Sequence, residues 1–393
     1  MLFVVLNEAR AVPLIGLDMQ AQIVFSGGDT TTGADSKVYG NISSGGSSTI
    51  AANSRVFGNI VSVSTAMIGA AGTVSGNIVS GGVLAAGAGS VIGGDITSGG
   101  ASTVGAGTQV GGNIVSGGAA TTGASSDVHG NVATAGAASI GAAASVDGIV
   151  SAVGTISILA GATVGGQQQL VSPPIDATVL AAALAADAQA TAYRIAAARS
   201  ALTNLGAGTV LSATIASDMT LYSGVYTAAG LSTGAGTILT LDGQGLANQF
   251  WVFNIMDGLT AGASSVIRMI NFGANNTVTW NSDGYVSIGA GAEFLGNIFA
   301  QGYVNVGAGA MVSGAGGRCG GIYSQTADVS FGAGSTMGSA GCKDPVLLSG
   351  PVLLPDSGDV VVPEPTTLAV LAMALFLTFV ASRSNWRAAP TYA

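Results

Sequence analysis

Residues 40 to 60 read Gly40-Asn41-Ile42-Ser43-Ser44-Gly45-Gly46-Ser47-Ser48-Thr49-Ile50-Ala51-Ala52-Asn53-Ser54-Arg55-Val56-Phe57-Gly58-Asn59-Ile60, and the stretch returns to its own start after 18 positions. Outward from it the glycine recurs at Gly40, Gly58, Gly76, Gly94, Gly112, Gly130, Gly148 and Gly166. Two residues before each stands Val38, Val56, Val74, Ile92, Val110, Val128, Val146 or Val164, and two after comes Ile42, Ile60, Ile78, Ile96, Ile114, Val132 or Val150. An alanine stands six before each, from Ala34 and Ala52 to Ala142 and Ala160. A fixed period of this kind marks a solenoid, because one coil cannot bury its apolar side alone. An 18-residue coil suits three short strands joined by tight corners. The expected fold is mainly β, a three-faced parallel β-helix.

Composition supports an ordered stack. Charged residues are 7% of the chain, and a disordered glycine-rich linker would carry more charge and no in-register valines. Formal net charge is −9 with only 10 Lys plus Arg, thinly spread. No basic stripe exists, so nucleic acid is excluded as a partner. No cofactor is called for, and a monomer is expected. Cys319 and Cys342 are the two cysteines. In an exported chain an even pair reads as a disulfide, contributing about 3 kcal/mol by loop closure; the alternative is two buried thiols.

Both ends read as addresses. Leu2-Phe3-Val4-Val5-Leu6 followed by Ala9-Arg10-Ala11 resembles the tail of a secretory signal, without the basic region that would precede it, so the true start is expected upstream. Val362-Pro363-Glu364-Pro365, an apolar run from Leu368 to Ala381, then Arg383 and Arg387 resemble the carboxy-terminal sorting signals processed by exosortases in Gram-negative bacteria. That resemblance implies export and a surface or matrix destination, with attachment to membrane or exopolysaccharide through this segment.

Between the ends, Gln167-Gln168-Gln169 and Pro173-Pro174 break the repeat. From Ala177 to about Leu205 the period becomes helical, with Leu180, Leu184, Ala188, Ala192, Ile195 and Leu202 near one face, Asp176 as N-cap and Gly206 as stop. Strand patterning then returns. Ala235, Ala263, Ala290, Ala308 and Ala333 repeat the Gly-Ala corner at spacings of 28, 27, 18 and 25, so these coils carry insertions, one of which holds Cys319. The chain divides into 1–11 (leader), 12–166 (regular solenoid), 167–208 (linker and helix), 209–343 (second solenoid), 344–362 (linker) and 363–393 (sorting segment).

Gly224-Val225-Tyr226, Leu239-Thr240-Leu241-Asp242-Gly243-Gln244-Gly245, Asn248-Gln249-Phe250-Trp251-Val252-Phe253-Asn254-Ile255, Val278-Thr279-Trp280-Asn281 and Phe294-Leu295-Gly296-Asn297-Ile298 resemble the microbial ice-binding protein family with the discontinuous β-solenoid fold. Ile23-Val24-Phe25-Ser26-Gly27-Gly28 through Gly40-Asn41-Ile42 resembles its amino-terminal strand segment. The resemblance covers about residues 20 to 343. It implies a right-handed solenoid, one long helix packed along a side, ice as the partner, and no enzyme activity. The chain departs by inserting about seven regular coils before the helix, which leaves open how that array joins the body. The runner-up function is a structural or adhesive matrix solenoid.

Other constellations fall away. Asn41, Asn59, Asn77, Asp95, Asn113 and Asn131 follow the repeat glycine; a coil-to-coil hydrogen-bond ladder is expected, since a calcium-binding repeat needs a recurrent aspartate and only Asp95 supplies one. His129, the only histidine, occupies a variable slot with no Cys, second His or carboxylate cluster read beside it. Polysaccharide-cleaving β-helices need grouped carboxylates, whereas Asp242, Asp257, Asp283, Glu293 and Asp328 are scattered. Phe250, Trp251, Phe253 and Trp280 are expected in the core or under the helix rather than as a sugar platform.

What remains is a ladder. With the Ala, Val and Ile columns taken as inward, the position three before each Ala points out. It reads Thr31, Thr49, Met67, Ala85, Thr103, Thr121, Ser139, Ser157, then Ser232, Thr260, Ser287, Asn305, Ser330, without a charge. Ser232, Thr260, Ser287, Asn305, Ser330, Thr103 and Thr121 are the candidate ice-binding residues. The resemblance places contact in the second solenoid, so a smaller effect is expected at Thr103. A second outward file, Ser43, Val61, Val79, Thr97, Val115, Ala133, is also uncharged, so the choice of face stays open.

Overall fold

The computed structural model describes residues 22–340 and Cys342; the leader and the Pro-Glu-Pro segment lie outside the described residues. The first coil lays down Gln22–Ser26, Thr30–Thr32 and Lys37–Val38, and the next repeats this with Asn41–Ser44, Ser48–Ile50 and Arg55–Val56. These three strand positions define faces A, B and C of a parallel stack. Each strand turns its β-branched residue inward, so Ile42, Ile50 and Val56 are all essentially inaccessible. Serines also point inward at the A–B corner. They satisfy one another, Ser44 Oγ lying 2.8 Å from Ser48 Oγ and 2.7 Å from Thr30 Oγ1, as buried hydroxyls must.

The alanine column corrects the sequence reading. Ala70, Ala88, Ala106, Ala124 and Ala142 are exposed, not inward. Alternation ends at the preceding residue, because the B–C corner is a turn whose next residue is left-handed, as at Asn53 (φ 58°) and Gly89 (φ 68°). What recurs there is backbone pairing: Asn53 N donates to Ala70 O at 3.0 Å, Gly107 N to Ala124 O at 2.9 Å. The outward position three before each alanine is unaffected, since the residue between, such as Ile68 or Val104, is buried.

The repeat glycine is explained by the asparagine beside it. Asn77 N donates to Asn59 Oδ1 at 2.7 Å, and the ladder continues through Asp95, Asn113 and Asn131 at 2.6–2.9 Å. A Cβ at Gly76 would lie 2.3 Å from that Asn59 oxygen, so the corner admits glycine alone.

The order of coils answers how the array joins the body. The first coil does not sit at an end. It pairs on one side with the array (Phe25 to Ser43) and on the other with the last coil of the second half (Phe25 to Tyr323, Thr31 to Ser330, Lys37 to Thr336). The array winds away from this seam, and the second half winds back to it. Face B is therefore one sheet of 14 strands. The second half has a wider interior, filled by stacked rings: Phe253 lies 3.8 Å from Trp280, which contacts Phe294 at 5.1 Å. The indole nitrogens of Trp251 and Trp280 donate to Leu221 O and Leu295 O. These aromatics are core, as expected, and Phe250 packs toward the helix.

The helix, α1 (Ala177–Thr203), starts where Asp176 Oδ1 accepts from Thr178 N and Val179 N at 2.9 and 3.1 Å. It buries Leu180, Leu184, Ile195 and Leu202 on face A. Ala177 and Ala181 lie against Gly117 and Gly81 of the array, while Ile195, Ala198 and Leu202 cluster with Phe25, Val252, Phe299 and Tyr323. Nine coil spacings separate the two ends of this contact, about 43 Å of sheet at ~4.8 Å each. The 27 residues of α1 span about 40 Å. The helix thus lies across the seam and holds both halves. Its carboxyl end is pinned by Asn254 Nδ2 to Leu202 O (2.8 Å) and Asn281 Nδ2 to Arg199 O (3.2 Å). Arg199 is itself buried between Asp283, Ser282 O and Gln325; burial lowers its pKa and Asp283 draws it back up. Cys319 and Cys342 form a disulfide that ties the insertion after Gly314 to the end of the last coil. Among the described residues no helix is long and apolar enough to cross a membrane.

Candidate functional site

The three faces differ in what they present. Face A carries α1, and the second outward file lies on it: Ser43 is buried and Val61, Val79, Thr97, Val115 and Ala133 are partly covered. With α1 lying along this face, that file does not form an open plane. Face C has strands of two residues through most of the array and turns Lys37, Arg55, Asp127 and Glu293 outward. Its edge bears Tyr39 stacked on Phe57, ring centroids 4.4 Å apart.

Face B is open and uncharged along its outward file. From one end to the other the rungs are Thr214, Ser232, Thr260, Ser287, Asn305, Ser330, Thr31, Thr49, Met67, Ala85, Thr103, Thr121, Ser139 and Ser157, each in register with the next. The structure thus brings all seven candidate residues onto one line. Thr214 is a rung the sequence reading missed, because its coil lacks the Gly-Ala corner. Thr103, Thr121 and Asn305 are exposed; Ser232, Thr260, Ser287 and Ser330 are half-buried. Thr260 and Ser287 thus point outward as expected, but they are partly covered rather than exposed. Thr214 Oγ1 lies 3.2 Å from Ser232 Oγ, and Ser330 donates to Asn305 Oδ1.

Beside the rungs runs a file of glycines, among them Gly332, Gly33, Gly69, Gly87 and Gly105. A Cβ at Gly87 would meet Ala70 N at 2.6 Å, so a side chain does not fit at these glycines, although Ala51 and Leu159 hold the same place in their own coils. On this side the rungs stand one short side chain high; on the other, Val83 and Tyr303, the latter stacked with Tyr285, rise beside them. At its rim Asp328 Oδ1 accepts from Asp29 N (2.8 Å) and Asp29 Oδ1 from Ser47 N (2.7 Å), so both carboxylates are spent on coil-to-coil bonds.

Two other features carry polar groups close together. A cleft of 180 Å³ at the end of α1 is lined by Thr203, Asn254, Met256, Asn281 and Asp283, whose polar members are already engaged in anchoring the helix. His129 does have carboxylates beside it, contrary to the sequence reading: Nδ1 is 3.0 Å from Asp147 Oδ2, and Nε2 is 3.8 Å from Asp127 Oδ2. All three side chains stand in solvent. The bond to Asp147, then the charge of Asp127, raises the His129 pKa above its ordinary 6.5. A histidine with a raised folded-state pKa contributes stability that is fully present below pH ~6.5 and is lost as pH rises through the folded value. Titration followed by imidazole proton resonances is expected to show a midpoint above 6.5, returning toward it in Asp147→Asn.

The chain resembles known proteins in part. It is 40% identical over 85 residues to ice-binding protein 1 of Shewanella frigidimarina, a stretch that is 21% of this chain and 9% of that protein. Among solved structures, an ice-binding protein from the Antarctic ascomycete Antarctomyces psychrotrophicus is 15% identical, with 82% of this chain and 97% of that one covered and a TM-score of 0.40. An ice-binding protein from an Antarctic biological consortium is 12% identical, with 86% and 95% covered and a TM-score of 0.41. Residues 167–335, which hold α1 and the second-half coils with the rungs Thr214 to Ser330, match the Ice-binding-like family.

Proposed function

We propose that this protein binds ice through face B, adsorbing to crystals and inhibiting their growth and recrystallisation. The observation that carries this reading is the coincidence of the family match over 167–335 with an open, uncharged, in-register file on the same coils. Ice offers no charged group and no pocket, only a lattice of water. A surface that holds it must order water before contact. Short side chains fixed on a stacked sheet lose little rotamer freedom, and a ~4.8 Å repeat is close to spacings in the lattice. Methyls favour cage-like water, and hydroxyls and the Asn305 amide anchor it by bridging hydrogen bonds. Charged groups would hold hydration shells that fit no ice plane.

The same reading makes the protein non-catalytic and exported. A disulfide between Cys319 and Cys342 suits an oxidising compartment, and the Pro-Glu-Pro segment would direct surface or matrix attachment. Nanolitre osmometry on the purified chain tests the function: faceted crystals with a gap between melting and freezing are expected. Round crystals growing freely at high protein concentration would overturn it and favour a matrix solenoid.

A further inference from the structure

We infer that the amino-terminal array is an ice-contacting surface in its own right, coplanar with the family-matched coils; this rests on the ice-binding function proposed above. The match over 167–335 includes six rungs, Thr214 to Ser330, about 24 Å of file at ~4.8 Å per coil. The array continues the line without a step. Thr31 registers with Ser330 across the seam, the corner ladder crosses it from Gly334 N to Ala34 O at 2.8 Å, and the glycine file passes from Gly332 to Gly33 at backbone contact. The full 14-strand file is about 62 Å long at the same spacing.

A spacer would not need this face. The array tolerates charge freely on face C, where Lys37, Arg55 and Asp127 point out, yet the same coils place only Thr, Ser, Ala and Met on the face-B file. The helix bridging the seam fixes the two stretches as one rigid plane. One flaw interrupts it: Met67, half-exposed and flexible, and Ala85 separate Thr49 from Thr103.

The test uses the full chain. Thr103→Lys is expected to lower freezing hysteresis at least twofold with unchanged circular dichroism. Met67→Thr with Ala85→Thr repairs the file and is expected to raise hysteresis, a gain that misfolding cannot mimic and that decides the matter should the lysine variant fail to fold. The inference is overturned if Thr103→Lys keeps full hysteresis and the repair adds none, while Thr260→Lys abolishes activity; the array is then a spacer although the protein binds ice. Absence of hysteresis in the unaltered chain overturns the proposed function and this inference together.

Discussion

Lysine at Thr260, and separately at Ser287, is expected to abolish crystal shaping while leaving the fold intact. Both residues sit in the middle of the family-matched rungs, in register with one another; Thr260 lies between Gly258 and Gly262, and Ser287 between Tyr285 and Gly289, so neither has an apolar groove beside it in which to lay a long charged side chain. A lysine there must rise above the plane, carrying a strongly hydrated ammonium. It lifts the surface off the lattice by several ångströms and holds water in an order that ice does not share. The stability change should stay within about 0.5 kcal/mol, because each side chain points outward and makes no buried contact that lysine would break. Osmometry and thermal unfolding on the same preparations check both halves of the statement. Full activity in both variants with unchanged unfolding would falsify the assignment of face B, even though faces A and C are less suited.

Most of the fold was legible because the chain states the same sentence many times. An inward Ile or Val, an outward Thr, a glycine and an asparagine recur at fixed offsets, and each copy fixes the role of the others. The alanine column was misread for a definite reason: strict alternation was carried through a corner where the backbone turns left-handed at Asn53 or Gly89. The ladder beneath it survived because its own neighbours, Ile50, Ile68 and Val104, are buried.

Long-range order was not legible. Every coil carries the same corner grammar, so nothing local says that coil 22–38 stacks on coil 321–337 rather than lying at an end. Asn254 and Asn281 could not be recognised as helix anchors, since each occupies an outward strand position that ordinarily meets water. Their spacing of 27, the local coil length, is the one hint that they stack. Asp147 could have been found beside His129 by applying the 18-residue period to charges as well as to apolar residues. The sequence named the face-B ladder as the candidate but left the second file open, because nothing in it says which face α1 covers.

Phe25→Ala is expected to be the most destabilising of the changes considered, because it strikes the seam. Phe25 is fully buried, registers with Tyr323 on one side and Ser43 on the other, and is covered by Ile195, Ala198 and Leu202 of α1. Truncation removes the whole phenyl ring from a site held on all sides by stacked strands and a helix, so collapse is limited and the cost is about 3–5 kcal/mol. In a stack where each coil contacts only its neighbours, such a loss falls on one interface rather than on the whole. The array and the second half should then unfold in separate steps, visible in calorimetry as two transitions where the unaltered chain shows one. Ice activity should fall as well, since Thr31 and Ser330 meet across this same seam and the file breaks where they part. A single transition at an unchanged midpoint would show that the backbone ladder and α1 alone hold the halves together, and that the Phe25 ring contributes little.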